Sequence, residues 1–324
     1  MTHACTRRSV IGSGWLKARP RSHLRILITG SSGLIGSALA NSLRGEGHTV
    51  IPLVRGGNSS APGTIAWNPE IGEINAAMLE GTDALIHLAG ASVAEGRWTP
   101  PRKKILRASR VEATQKLVAA LRRLGMPPRV MIAASAVGYY GNRGDEKLSE
   151  ASPPGNDFAA QLCIDWEAAS MEAESLGIRV VTLRFGVVLS SAGGALTKML
   201  PPFRFGVGGR LGSGRQWISW LTRPDALGII RHAMEDSNLR GPVNAVSPSP
   251  VTNSEFTRIL AKALHRPAIF PVPALALRAL VGEMADGLLL ASQRVVPEKL
   301  HASLYSFRHP DLASALSSTL DKPD

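Results

Sequence analysis

An α/β protein, built on a doubly wound parallel sheet with a smaller C-terminal lobe over its cleft, is the fold this sequence predicts. Two observations carry the prediction. Apolar runs of strand length alternate with helical stretches from Leu24 to Arg184, the alternation of a parallel sheet with crossover helices. A glycine-rich turn, Thr29-Gly30-Ser31-Ser32-Gly33-Leu34-Ile35-Gly36, joins the first such run to the first helix. At 324 residues, with 44% hydrophobic and 19% charged, the chain is long enough to bury one large core or two unequal ones and has the composition of a soluble globular protein.

The elements follow in order. Leu24 to Ile28 is the first strand, Ser37 to Leu43 lies in the first helix, and Thr49 to Val54 is the second strand. Thr82 to Gly90 is an apolar strand that ends in small residues, which allow close approach to a ligand. Trp98-Thr99-Pro100 starts a long helix, Pro101 to Leu124, with apolar positions Ile105, Val111, Leu117, Val118 and Leu121. The strand Arg129 to Ala134, a helix from Asp157 to Leu176 and the strand Arg179 to Arg184 complete the alternation. Beyond Leu189 the character changes. A glycine-rich stretch, Gly206 to Gly214, gives way to helix and then to proline-punctuated short elements, with Pro242 to Val246 expected to return a strand to the main sheet. The expected organisation is a disordered basic extension over residues 1–23, a dinucleotide-binding domain over 24–248 with a cleft segment at 189–225, and a small C-terminal domain over 249–324.

The glycine turn is the chemical signature. Glycines let the backbone turn off the strand and leave no side chain between it and a pyrophosphate, which sits against the free N–H groups of a helix N-terminus. The strand before, the helix after and a second strand beyond favour a nucleotide site over an ordinary glycine loop. Gly30-x-x-Gly33-x-x-Gly36 has two residues between the first glycines, a spacing that favours the short-chain dehydrogenase/reductase superfamily. At the end of the second strand an acidic residue would favour NAD. This chain has Arg55, followed by Gly56 and Gly57, so NADP (NADPH) is the expected cofactor, its 2′-phosphate paired with the guanidinium.

Other classes are excluded or disfavoured. The formal charge of +12 is spread along the chain and accompanied by no DNA- or RNA-binding motif, so nucleic acid is not an expected partner. Part of it lies in Met1 to His23, which carries Arg7, Arg8, Lys17, Arg19 and Arg21 and no acid. That segment lacks the apolar core of a secretory signal; it superficially resembles an organelle transit peptide, and an overlong start is the plainer alternative. No run reaches the length of a membrane span. The most apolar C-terminal stretch, Val272 to Leu290, is broken by Pro273, Arg278, Glu283 and Asp286 and reads as a buried or partner-facing helix pair. Two cysteines, Cys5 and Cys163, suit a reducing cytoplasm better than a disulfide framework. The eight histidines show no metal-ligand spacing, no serine nucleophile elbow appears, and no metal is expected.

From Leu24 to about Leu320 the chain resembles the atypical short-chain dehydrogenases called the epimerase family. The motifs are His87-Leu88-Ala89-Gly90, Arg97-Trp98-Thr99 with Lys104 and Ser109-Arg110, Ser135 to Gly141, Trp166-Glu167, Arg184 to Leu189, Gly212-Ser213-Gly214 with Gln216-Trp217, and Asn244 with Ser247-Pro248. The segment with Phe256, Arg266-Pro267, Gly282-Glu283-Met284 and Pro297 to Leu300 is similar to the domain of unknown function DUF1731 appended to that family. The resemblance implies a Rossmann-like sheet binding NADP through Gly30, Ser31, Ser32, Gly33, Leu34, Ile35 and Gly36, with Arg55 at the 2′-phosphate. It also implies contacts from Leu88, Ala89 and Gly90, from Arg110, and from the backbone near Val188.

Catalytic members of the superfamily use a tyrosine, a lysine four residues later that lowers its pKa, and a serine. Anchored on Trp166-Glu167, those positions hold Ala159 and Cys163, so the pair is missing. Ser135 is the best serine candidate. Tyr139 or Tyr140 is a candidate phenol, and Arg184 or Lys198 a candidate cation, against the plainer reading that both tyrosines pack. Thr222 stands where relatives tend to have a histidine. Two functions follow: an NADP-dependent oxidoreductase or nucleoside-sugar-type epimerase acting on a small polar or sugar-like substrate, or a non-catalytic NADP-binding sensor or scaffold, some relatives carrying names tied to cell division. A homodimer through the two long helices, Pro101 to Leu124 and Asp157 to Leu176, is the expected assembly.

Overall fold

The structure, a computed structural model, describes residues 23–56 and 63–321. The expectation of a disordered extension falls on residues 1–23, which lie outside the described residues except for His23, and Gly57 is outside them too. Eight strands make one sheet: β1 (Arg25–Thr29), β2 (Thr49–Arg55), β3 (Ile65–Asn68), β4 (Glu73–Ile74), β5 (Ala84–His87), β6 (Val130–Ala136), β7 (Arg179–Phe185) and β8 (Gly241–Ala245). Their order is β8-β7-β6-β5-β1-β2-β3-β4, parallel throughout except for the antiparallel β3–β4 pair. The strand order reverses between β1 and β5. Crevices for ligands open at the carboxyl ends of strands at such a point.

Strands covered on both faces read as continuous apolar runs, because both sets of alternating side chains are buried. In β1, Ile26 and Ile28 face a cluster with Leu39 and Leu43 of α1 (Leu34–Gly45) and, across the cluster, Ile229 and Ile230. Leu27 faces the opposite cluster with Leu85, Met131, Val180, Leu117 and Leu121. The Pro242 to Val246 expectation holds: β8 pairs in parallel with β7, Val243 opposite Leu183.

The long helix expected from Pro101 to Leu124 is corrected to three pieces. Helix α2 (Pro100–Arg107) starts with Thr99 accepting the Arg102 N–H at 3.4 Å, a π-helical turn spans Ala108–Glu112, and α3 (Ala113–Leu121) follows. The wider turn brings Ser109 and Arg110 toward the loop after β5, where each bonds the backbone of Ala91. Helix α4 (Phe158–Met171) and a 3₁₀ turn, Glu172–Leu176, occupy the other expected helix. Next come α5 (Gly194–Arg204), α6 (Arg223–Glu235), α7 (Asn253–Leu264), α8 (Ala274–Val281), α9 (Glu298–Ala302) and α10 (Leu312–Asp321).

The second lobe has its own core. Leu196, Leu200 and Phe203 of α5 pack with Phe256 and Leu260 of α7 and with Leu312, Ala315 and Leu316 of α10. It therefore draws on segments either side of residue 248. Short pairings tie it to the sheet: Val187–Leu189 with Trp220–Thr222, Trp217–Ile218 with Val251–Thr252, and Arg294–Val295 with Lys147–Leu148. Within the Val272 to Leu290 stretch Leu277, Met284 and Ala285 are buried while Leu275 and Leu280 are exposed.

Candidate cofactor cleft and active site

The glycine turn is built for close backbone contact. Gly30 has φ +70° and its N-terminal neighbour ends β1; a Cβ there would meet the carbonyl of Leu88 at 2.8 Å. A Cβ on Gly36 would lie 2.2 Å from the Gly30 carbonyl oxygen. Gly33 caps α1 without a side-chain bond, and no acid sits in the first turn, so the first N–H groups of the helix point unopposed toward the crevice. Ser31 is half-buried, Ser32 exposed, and Leu34 and Ile35 half-buried beside them. Arg55 lies exposed at the carboxyl end of β2, the strand next to β1, with Trp67 of β3 as its register partner. These residues fit a dinucleotide: a turn that excludes side chains, a helix N-terminus for the pyrophosphate, and a cation at the second strand.

A chain of hydrogen bonds fixes the facing loop. The Ala89 N–H donates to Thr29 Oγ1 at 3.2 Å, and Thr29 Oγ1 and His87 Nδ1 lie 2.7 Å apart. On the other side of the ring, Nε2 lies 2.9 Å from Thr114 Oγ1, whose hydroxyl donates to the Arg110 carbonyl. Thr114 is thus the acceptor at Nε2–H, and Nδ1 is the acceptor from Thr29, which assigns the neutral Nε2–H tautomer. Burial pushes the His87 imidazole down to about 4, in keeping with that assignment. Between pH 6.5 and 4 the unfolded chain binds a proton here that the folded chain does not. Stability therefore falls as pH drops through that window, by about 3 kcal/mol at most. Thermal midpoints measured across it should fall more steeply for the parent than for His87→Gln; parallel curves would remove His87 as the cause.

Arg110 is almost fully buried. Its Nη2 donates to the Ala91 carbonyl at 2.9 Å, its Cζ lies 5.1 Å from the Trp166 ring centre, and Gly90 packs against its guanidinium. No carboxylate among the described residues faces it, and burial pushes its pKa down to about 10. It lines a cavity of about 460 Å³ that runs from Leu34 past Val188 into the space between the lobes. Leu88 and Gly90 lie at the turn rather than in this lining, and Val188 is half-buried within it.

Ser135, Ala159 and Cys163 all line the cavity, so the structure gathers the serine candidate and the two positions where the tyrosine and lysine are absent. Gly138 packs on both, a Cβ there lying 3.5 Å from Ala159 Cβ and 3.8 Å from Cys163 Sγ. Burial pushes the Cys163 thiol up to about 12, with the nearby Glu167 carboxylate adding to it, so the thiol stays protonated. Ser135 is not free either. Its hydroxyl donates to Glu167 Oε1 at 2.6 Å, and Glu167 in turn takes Arg184 Nε and Nη2, both at 2.8 Å. Burial works against the Arg184 charge, yet the bonds to Glu167 hold its pKa above the ordinary value.

Neither tyrosine is brought to the cavity lining. Tyr140 is fully buried, its hydroxyl donating to Asn244 Oδ1 at 2.7 Å and accepting from Arg184 Nη1 at 2.9 Å; burial pushes the phenol up to about 12 against the pull of Arg184. The Tyr139 ring lies under the Arg184 guanidinium, 3.4 Å from Cζ to the ring centre. Both pack, and Arg184 is spent on them and on Glu167. Lys198 donates to the Ala94 carbonyl at 3.1 Å on the surface. Thr222 caps α6, accepting the Asp225 N–H at 3.2 Å, and His309 from the C-terminal segment lies 3.3 Å from its hydroxyl. Glu167 as the hub was not legible: it sits on α4, and its partners come from β6 and β7 at no regular spacing. Among the described residues no group of three or more His, Cys, Asp or Glu is placed to hold a metal ion, and no helix is long and apolar enough to cross a membrane.

Comparison with known proteins agrees with this architecture. The model of the NAD dependent epimerase/dehydratase family matches residues 26–245, and that of the domain of unknown function DUF1731 matches residues 272–319. Epimerase family protein MT2273 of Mycobacterium tuberculosis is 44% identical over 92% of this chain and 98% of its own. A crystal structure of human epimerase family protein SDR39U1 (isoform 2) with NADPH superposes with a TM-score of 0.83 at 34% identity, covering 92% of this chain and 99% of that one. A nucleoside-diphosphate sugar epimerase from Corynebacterium glutamicum gives 0.76 at 38% identity, covering 92% of this chain and 58% of that one. The Rossmann-like sheet, the glycine turn and the matched C-terminal segment place this chain in the NAD dependent epimerase/dehydratase family.

Proposed function

We propose that the chain binds NADP in the crevice between β1, β2 and β5 and serves hydride-transfer chemistry, as an oxidoreductase or epimerase, on a ligand held in the adjoining cavity. The observation that carries this is the turn itself: Gly36 and Gly30 close on one another with no room for a Cβ, at an uncapped helix N-terminus that opens into the cavity. The NADPH-containing human relative supports the choice of cofactor. A bound nicotinamide supplies the hydride donor or acceptor. Within the chain, Arg55 meets the 2′-phosphate, Arg110 and the Ala89 loop flank the cofactor, and Ser135 holds the ligand oxygen. Ser135 lines the cavity, donates its proton to Glu167 and is hydrogen-bonded to Cys163, so one Oγ lone pair is left to accept from a ligand.

A second reading has an observation of its own: with Cys163 protonated and Arg184 neutralised by Glu167, the cavity has no conventional proton donor near neutral pH. A non-catalytic NADP sensor would need none. Fluorescence titration with NADPH and NADH, in the parent and in Arg55→Ala, tests the common ground. The parent should prefer NADPH by about tenfold or more, and the variant should lose that preference while keeping its NADH affinity. Absence of binding by either dinucleotide would end both readings; turnover of nicotinamide absorbance with a ligand would separate them.

A further inference from the structure

The lining of the cavity is apolar to a degree that bears on its ligand. Beyond the turn, its walls are Trp98, Leu162, Trp166, Met199, Ile218 and Phe256, with Leu288, Leu289 and Ala291 closing it from the C-terminal segment. Several of the polar groups that reach it are engaged within the protein. Ser219 Oγ donates to the Gln293 carbonyl at 2.7 Å and accepts the Val295 N–H at 2.9 Å. Trp98 Nε1 donates to the Val93 carbonyl at 2.9 Å, Trp217 Nε1 to Asp145 at 2.8 Å, and Asn253 Oδ1 accepts the Leu211 N–H at 2.8 Å. A sugar ring lying against these apolar walls would bury hydroxyls that find no partner there, each unmet one costing roughly tenfold in affinity. What remains open is local: one Ser135 Oγ lone pair, the other facing the Cys163 thiol, Arg110 beside the turn, the Asn253 side-chain N–H groups, the Gln293 side-chain amide and the buried, unpartnered Trp166 Nε1.

We propose that this cavity takes a predominantly apolar alcohol, its hydroxyl donating to Ser135 Oγ and its hydrocarbon body lying against Leu162, Ile218, Phe256 and Leu289, in place of the small polar or sugar-like substrate expected from sequence. The placement of the hydroxyl beside the nicotinamide rests on the NADP reading above; the ligand class rests on the lining alone.

The test uses the full chain with and without NADP, Nile red as the reporter, and 1-octanol and UDP-glucose as competitors. Nile red fluorescence should rise and shift blue, 1-octanol should displace it, and UDP-glucose at the same concentration should not. Ile218→Asp should weaken Nile red binding at least about tenfold. Leu288→Glu, at a position 37% exposed at the mouth, should do the same without risk to the fold, whereas Phe205→Asp, 83% exposed outside the cavity, should leave it unchanged. Displacement by UDP-glucose, or binding indifferent to both cavity variants, overturns the proposal. So does complete expulsion of Nile red by NADP, which would make this the cofactor's own space. Nile red binding that responds to the cavity variants in a chain with no dinucleotide affinity would remove the NADP reading and leave the ligand class standing.

Discussion

Replacing Glu167 by alanine should cost about 3–5 kcal/mol of stability, among the largest losses available to a single side chain here. The reason is what it leaves behind. Arg184 has 2% of its side chain exposed, and Glu167 is its only carboxylate partner among the described residues, through two bonds of 2.8 Å. Tyr139 stacks on the guanidinium and Tyr140 accepts one N–H, but neither carries a negative charge. Ser135 would lose its acceptor as well. Calorimetric midpoints of Glu167→Ala, Arg184→Met and the double variant form the check. The double variant should recover much of the loss, since removing both charges avoids the unpaired one. Additive losses would mean that water reaches Arg184 and that the pair is not the hub described.

Gly36→Ala should abolish tight NADPH binding, with a loss of at least about a hundredfold, near 2.7 kcal/mol. The new Cβ would sit 2.2 Å from the Gly30 carbonyl oxygen, 2.9 Å from its carbon and 3.0 Å from Ser31 Cα. All three are backbone atoms, so no rotamer change relieves the overlap, and the turn must open where the pyrophosphate would lie. Gly45→Ala is the control. It lies at the far end of the same helix, has no atom within 4 Å of the added Cβ, and should leave binding unchanged while stabilising the helix by about 0.5–1 kcal/mol. Equal binding by parent and Gly36→Ala would mean that the turn does not carry the cofactor.

The two variants also mark what sequence could and could not reveal. The turn was legible because strand, glycines and helix are contiguous, and each constraint acts over a few residues. The parallel strands were legible because burial on both faces leaves an apolar run. Strands β3 and β4 were missed: Ile65 and Trp67 are buried and Ala66 and Asn68 half-buried, but four residues of alternation beside a glycine-rich stretch give no usable period. The π-helical turn at Ala108–Glu112 was hidden because one helical phase was carried straight through it, which put Ile105 on the apolar face where the structure buries Leu106 and leaves Ile105 50% exposed. The Glu167 network links residues as far apart as Tyr140 and Asn244, and such pairing has no local signature. The absence of tyrosine and lysine from the site was visible in sequence; that the space they leave is apolar was not, because its far wall comes from residues 287–293.

That late wall has a consequence for how the protein is made. Leu288, Leu289, Ala291 and Gln293 close the cavity, and Arg294–Val295 seals them against Lys147–Leu148. A ribosome delivers them after all eight strands of the sheet, so for some seconds a nascent chain holds a formed sheet with Leu162, Trp166 and Ile218 uncovered. Such a surface is what chaperones recognise and what drives early aggregation. A frameshift or stop upstream of residue 287 would accordingly yield a sticky species cleared by quality control, where a fold with its pocket complete inside the first domain would yield only an inactive one.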